Sequence, residues 1–164
     1  MPRNNEFQLL SINKLMDKVE HYDYKDLFYR NIWEELLELK FPFVKGHGDL
    51  RKANILLSNK NNKIYYIDWE LSQPFIIFYD LFFLMYHEAV YSQNYLILDD
   101  YFKGRYDNYL HNISELCGIE YKKMYKLDYL NIFFLENFIN RSKDKKLLRK
   151  KFENYKKSII KYNM

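Results

Sequence analysis
The chain has 164 residues and a formal net charge of +4, with 48% apolar and 20% aromatic residues. That is the length of one domain with ample material for a core, and its longest apolar run, Phe75 to Tyr86, is broken by Asp80 and too short to span a bilayer. A single cysteine, Cys117, excludes an internal disulfide and a multi-cysteine metal site, and the polar start Met1 to Asn5 lacks a signal-peptide core, so the expected setting is cytoplasmic.

Seventeen tyrosines and 13 phenylalanines against four glycines and three prolines predict helices with few tight turns. Ile12, Leu15, Met16 and Val19 recur at helical spacing, so residues 6–20 read as a helix. A polar break at His21–Asp23 precedes a second helix over 24–39, with Leu27, Phe28, Ile32, Trp33, Leu36 and Leu37 inward and Glu34, Glu35 and Glu38 outward. Pro42 ends it, because the residue before a proline is pushed out of the helical region. Phe43 to Gly46 is then extended and delivers His47–Asn54 as a loop. Ile55–Ser58 and Lys63–Ile67 read as two strands joined by Asn59-Lys60-Asn61-Asn62, a polar link suited to a hairpin.

Pro74 interrupts any helix after Glu70, and Leu81 to Tyr91 reads as a buried helix with Asp80 at its start. Residues 95–116 give another helix, closed by a glycine cap at Gly118. Residues 121–140 form a further helix with Met124, Leu127, Leu130, Phe134, Leu135 and Phe138 inward. The last stretch, Arg141 to Met164, holds ten Lys/Arg and two Asp/Glu. Within it Leu148, Phe152, Tyr155, Ile159 and Tyr162 make one apolar stripe. It is read as a final helix packed on the body with a solvated basic face; nucleic acid is set aside as a partner. His21, His87 and His111 fall on predicted helices as surface or half-buried residues rather than ligands, and the tyrosine and phenylalanine stripes are assigned to the core.

The chemistry-bearing segment is His47-Gly48-Asp49-Leu50-Arg51-Lys52-Ala53-Asn54, followed by Ile67-Asp68-Trp69-Glu70. A hairpin that starts after Asn54 and ends before Asp68 returns the chain on itself, so the two polar groups finish side by side at its open end. Asp49 is then placed to accept or orient the proton of an attacking hydroxyl. Asn54 offers an amide oxygen and Asp68 a carboxylate, a hard-ligand pair for Mg²⁺ that leaves positions for nucleotide phosphates. His47 suits organising the loop, and Asp80 suits taking hydrogen bonds from the loop backbone or from His47, as a buried carboxylate requires. Glu70 either reaches the metal region or pairs with a base. Arg51 and Lys52, inside the loop, are positioned for a phosphate or are two solvated charges.

His-x-Asp-x-x-x-x-Asn, a hairpin, Ile-Asp-Trp-Glu, then Tyr79-Asp80-Leu81 opening an apolar helix resembles the aminoglycoside phosphotransferase and choline kinase family, a branch of the protein-kinase-like fold. The resemblance covers about residues 43–86. It implies an α+β, mostly helical, kinase-like C-terminal lobe forming one domain over 1–164: a helical pair to residue 40, the catalytic loop and hairpin over 43–70, and helices over 80–164. It implies Asp49 as the catalytic aspartate, Asn54 and Asp68 as metal ligands, and His47 and Asp80 as supports of the loop. Mg²⁺ is the implied cofactor and ATP the phosphate donor, with a small hydroxyl-bearing acceptor such as an aminoglycoside, a sugar or an amino alcohol.

The family's first lobe, with its glycine-rich phosphate-covering loop, lysine and paired glutamate, finds no counterpart in the 46 residues before His47, since Gly46 is the first glycine. A missing N-terminal lobe or a second chain is therefore an expected partner, and weak ATP binding is expected of this chain alone. The alternative is a kinase-derived binding or scaffold module that transfers no phosphate.

Overall fold
The computed structural model describes residues 8–17, 32–141 and 145–162. The architecture is α+β, with two small sheets set among helices. Strand β1 (Gln8–Ser11) runs into a short helix α1 (Ile12–Met16), capped where the Ser11 hydroxyl accepts from the Lys14 N–H. Only part of the helix expected over 6–20 is thus helical. Its first turn is a strand, because Leu9 and Leu10 pair with Pro42 and Phe41, 33 and 31 residues further on. Of the second expected helix, the described part is one turn, α2 (Glu34–Leu37). Leu36 and Leu37 are buried as expected, whereas Trp33 is 61% exposed; Leu27 and Phe28 lie outside the described residues.

Strand β2 (Lys40–Gly46) is the centre of a three-stranded antiparallel sheet, between β1 and β5 (Gln73–Ile76). β5 is not among the expected elements, and both prolines expected as boundaries lie inside strands. The register explains how. Pro42 sits at the end of the β2–β5 ladder, where its carbonyl accepts from Ile77 N–H and no further ladder bond follows. Pro74 is on the edge strand, in the alternate position whose nitrogen faces away from β2. The next outward-facing donor on that edge, Ile76 N–H, is taken by both oxygens of Glu136, at 3.1 Å each, and Glu136 is buried. Neither residue leaves the edge with an unmet donor.

The hairpin is as expected: β3 (Ile55–Leu57) and β4 (Ile64–Tyr66) pair antiparallel with Ile55 opposite Tyr66. Its side chains are not covered: Leu56, Leu57, Ile64, Tyr65, Tyr66 and Ile67 are all largely exposed.

Helix α3 (Tyr79–Val90) follows β5 after two residues. The turn is made by Phe78 in the left-handed region (φ 74°), a costly conformation for an aromatic residue, and it sets the first turn of α3 beside the loop after β2. The helix expected over 95–116 is two, α4 (Leu96–Phe102) and α5 (Asp107–Leu116). Gly104 (φ 88°) breaks it: Gly104 N–H bonds Tyr101 O and Arg105 N–H bonds Asp100 O, the paired bonds of a Schellman end. Gly118 closes α5 in the same way, as expected.

Helix α6 (Lys126–Arg141) begins after a 3₁₀ turn, and that turn leaves Met124, expected inward, 70% exposed. Leu130, Phe134, Leu135 and Phe138 are buried. The final helix α7 (Lys145–Ile159) packs Phe152, Tyr155 and Ile159 against the body. The aromatic wealth of the sequence goes into this contact and its neighbour. Phe133 lies within 6.5 Å of the rings of Tyr79, Phe82, Phe83 and Tyr86, and Phe134 stacks on Tyr155 at 4.2 Å. Among the described residues no helix is long and apolar enough to cross a membrane.

Candidate active site
The loop after β2 is held from below by the start of α3. One oxygen of Asp80 accepts from His47 N–H at 2.7 Å and the other from Gly48 N–H at 2.9 Å. Asp80 is half-buried in the first turn of the helix, where an anion also gains from the helix dipole. Of its two expected donors, it takes the backbone and not the His47 ring. The geometry leaves no room for a side chain at residue 48. Gly48 has φ 83°, and a Cβ there would lie 2.4 Å from Leu71 O and 2.9 Å from the Phe75 ring.

The His47 ring ties the loop to the hairpin instead. Nε2 bonds Ile67 O at 2.7 Å and Nδ1 accepts from Asp49 N–H at 3.3 Å. Because Nδ1 is an acceptor, the proton sits on Nε2 and is donated to Ile67. The His47 ring thus has both nitrogens engaged, is 2% exposed and packs 4.7 Å from Trp69.

Asn54 is buried at the loop's end, and its Nδ2 donates to Asp49 O at 2.9 Å and to Asp49 Oδ2 at 3.3 Å. Both bonds use the amide nitrogen, so the amide oxygen is the group left for a ligand. Asn54 O accepts from Ile67 N–H at 3.1 Å, extending the hairpin ladder by one step. The next residue is Asp68. It has φ 68° and ψ 57°, and its exposed carboxylate has no hydrogen bond or ion pair among the described residues. A non-glycine residue held left-handed is strained, and such strain gathers at functional positions. The fold therefore brings Asp49, Asn54 and Asp68 to one end of the hairpin, with His47 and Asp80 behind them.

Arg51 lies against Asp49, its Nε 3.3 Å from Oδ2, but the N–H is misaligned and forms no hydrogen bond. Lys52 pairs with Glu88, a 3%-exposed carboxylate on α3 that also accepts from Asn94 Nδ2 at 3.4 Å. Burial pushes Glu88 up, but the bonds from Lys52 and Asn94 outweigh it and hold the carboxyl below its ordinary range. Arg51 and Lys52 remain solvated, their side chains 42% and 65% exposed, but each lies against a carboxylate. Glu70, on the 3₁₀ turn Trp69–Leu71, is exposed and makes no described contact with the loop. The Lys52–Glu88 pair was missed from sequence, although a glutamate inside the apolar run Met85-Tyr86-His87-Glu88-Ala89 is itself a signal that a cation must reach it.

Hard oxygen donors and paired loop cations gathered at one end of a hairpin suit chemistry on phosphoryl groups. Comparison with known families makes the class specific. The model of the Phosphotransferase enzyme family matches residues 2–110, and the chain belongs to that family. A phosphotransferase-type function follows from it in general terms. No curated protein and no solved structure matches the chain.

Proposed function
We propose that the protein is an ATP- and Mg²⁺-dependent phosphotransferase acting on a hydroxyl of a small molecule, with Asp49 as the base. One observation carries this reading: the His47, Asp80 and Ile67 contacts fix Asp49, Asn54 and Asp68 in one small constellation. The donor set fits Mg²⁺. Asn54 has its amide nitrogen committed inward and its oxygen unbonded, Asp68 adds a carboxylate with no described partner, and two protein oxygens are a usual share for this ion when phosphates supply others. When bound, the ion neutralises charge on the phosphates.

The chain's own residues do the rest. Asp49 orients the acceptor hydroxyl and takes its proton as the hydroxyl oxygen bonds to the γ-phosphorus and the bond to the ADP oxygen breaks. Asn54 holds the Asp49 carboxylate in place, and the Arg51 guanidinium offsets its charge. Asp80 fixes the loop backbone on which all of this stands.

The uncovered hairpin supports a second element of the reading: the surface that closes over the nucleotide comes from another segment, in the same polypeptide or another chain. Exposed Leu56, Leu57, Ile64 and Tyr65 give such a segment an apolar seat. The same exposure suits the alternative of a kinase-derived binding module. Calorimetry with Mg-ATP on the 164 residues, with and without Asp68→Asn, tests the reading. Weak binding abolished by the substitution is expected, micromolar affinity overturns the need for a covering segment, and weak binding indifferent to Asp68 overturns the metal site.

A further inference from the structure
Asp49 and Arg51 also line a pocket of about 320 Å³ whose other walls come from α3, α6 and α7. Phe83 and Tyr91 supply aromatic surface, and His87, Asn137 and Lys151 supply polar groups. The polar inventory is lopsided. Arg51 Nε, His87 Nδ1 and the Tyr86 hydroxyl are buried with no hydrogen-bond partner among the described residues; the first is a donor and the other two can donate or accept. The Tyr79 hydroxyl donates to Asn137 Oδ1 at 3.0 Å, which leaves the amide N–H groups of Asn137 for the pocket. Lys151 adds an ammonium. Against these donors stands one carboxylate, Asp49, already in contact with Arg51.

A buried donor without an acceptor is costly, and the Arg51 Nε, with the Asn137 amide and the Lys151 ammonium beside it, suits a ligand that brings acceptors. Charge points the same way: two fixed cations face one shared anion, so a polycation is repelled and an anion gains charge-assisted hydrogen bonds. Asn137 and Lys151 lie beyond residues 2–110, so half of this chemistry comes from outside the segment that the family model matches.

We propose that this pocket receives the acceptor and selects a hydroxyl compound carrying an anionic group, a carboxylate or a phosphate ester, in place of a cationic one. The proposal rests on Asp49 being the base. The aromatic walls seat the carbon skeleton, Lys151 and Arg51 take the anionic oxygens, and Asn137 orients a neighbouring hydroxyl.

Binding of D-glycerate, glycerol 3-phosphate, glycerol, ethanolamine and kanamycin to the full chain, measured calorimetrically without nucleotide, provides the test. One of the two anions should bind at least 10-fold more tightly than glycerol, and which of them does so separates carboxylate from phosphate recognition. Lys151→Ala should weaken that anion about 10-fold at an unchanged melting temperature, and Lys151→Glu should weaken it further. Tighter binding of ethanolamine or kanamycin, an anion affinity within two-fold of wild type in Lys151→Ala, or no binding of either anion overturns the proposal. Displacement of the bound anion by Mg-ADP also overturns it, since the pocket would then belong to the donor's phosphates. An anion that binds through Lys151 yet is never phosphorylated with Mg-ATP counts against Asp49 as the base and leaves the anion selectivity standing.

Discussion

Asp80→Asn separates the support of the loop from its chemistry. The carboxylate gives one oxygen to His47 N–H at 2.7 Å and the other to Gly48 N–H at 2.9 Å. An amide of the same shape keeps one acceptor and turns an NH₂ toward the second donor. Leaving one such N–H unmet costs about 1–3 kcal/mol, and losing the anion at a helix N-terminus adds about 0.3–1 kcal/mol. A total of about 2–3 kcal/mol lowers the melting temperature of a chain this size by roughly 5–10 °C. The local effect is sharper. If the loss appears as loop opening, amide exchange at His47 and Gly48 accelerates by roughly 30- to 150-fold. Asp80→Ala, which strands both donors, must be worse than Asp80→Asn on both measures. Exchange at residues 47 and 48 unchanged in Asp80→Asn, with a melting temperature within about 1 °C of the parent, refutes the assignment of Asp80 as the loop's anchor.

Gly48→Ala should cost about 2–3 kcal/mol or prevent folding, because its Cβ meets Leu71 O at 2.4 Å at a positive φ; denaturant unfolding measures it. Asp68→Gly should hold stability within about 1 kcal/mol, since glycine accepts φ 68°, yet reduce phosphoryl transfer by about 100-fold or more. Urea unfolding and a coupled ADP assay read the two effects separately. Lys52→Met leaves Glu88 buried without its cation and should cost about 1–2 kcal/mol at pH 7, the low end for a buried pair because Lys52 is 65% exposed. The folded Glu88 carboxyl lies below its ordinary value, so its stabilisation is present above that value and lost as pH falls through the folded one. The gap between parent and Lys52→Met in thermal unfolding should therefore close in acid.

The loop and hairpin were legible because their determinants are local. Asn59–Asn62 is a turn by composition, strand residues flank it, and the return of the chain follows from strand length alone. The three-stranded sheet was not, because β1 is defined by partners distant in sequence. Ile12, Leu15 and Met16 keep a helical period, and nothing local in Leu9 and Leu10 marks the strand that precedes them. Pro42 and Pro74, expected as boundaries, lie inside strands: Pro42 at the last β2–β5 step, where its missing N–H ends the ladder, and Pro74 with its nitrogen facing away from β2. Gly104 is a local signal: a glycine within the expected 22-residue helix marks the Schellman end that divides it.

The site shows a similar division, with a physical cause. Asp49, Asn54, Asp68 and Asp80 stand out in the sequence because their spacing along the chain mirrors the chemistry proposed for them. Glu88, Glu136 and Asn137 do not, since their partners are 36, 60 and 58 residues away and no pattern in the sequence couples them. Placed on the structure, the charges sort themselves. Asp80 is met by backbone donors, Glu88 by Lys52 and Glu136 by Ile76, while Asp68 has no described partner and stands on a strained backbone. A chain that satisfies its buried carboxylates this thoroughly has no folding reason to hold an exposed one left-handed beside Asn54. The cost makes sense as preorganisation for a ligand that the two residues share, and for that reason Asp68, more than the half-buried Asp80, is where stability and activity should part.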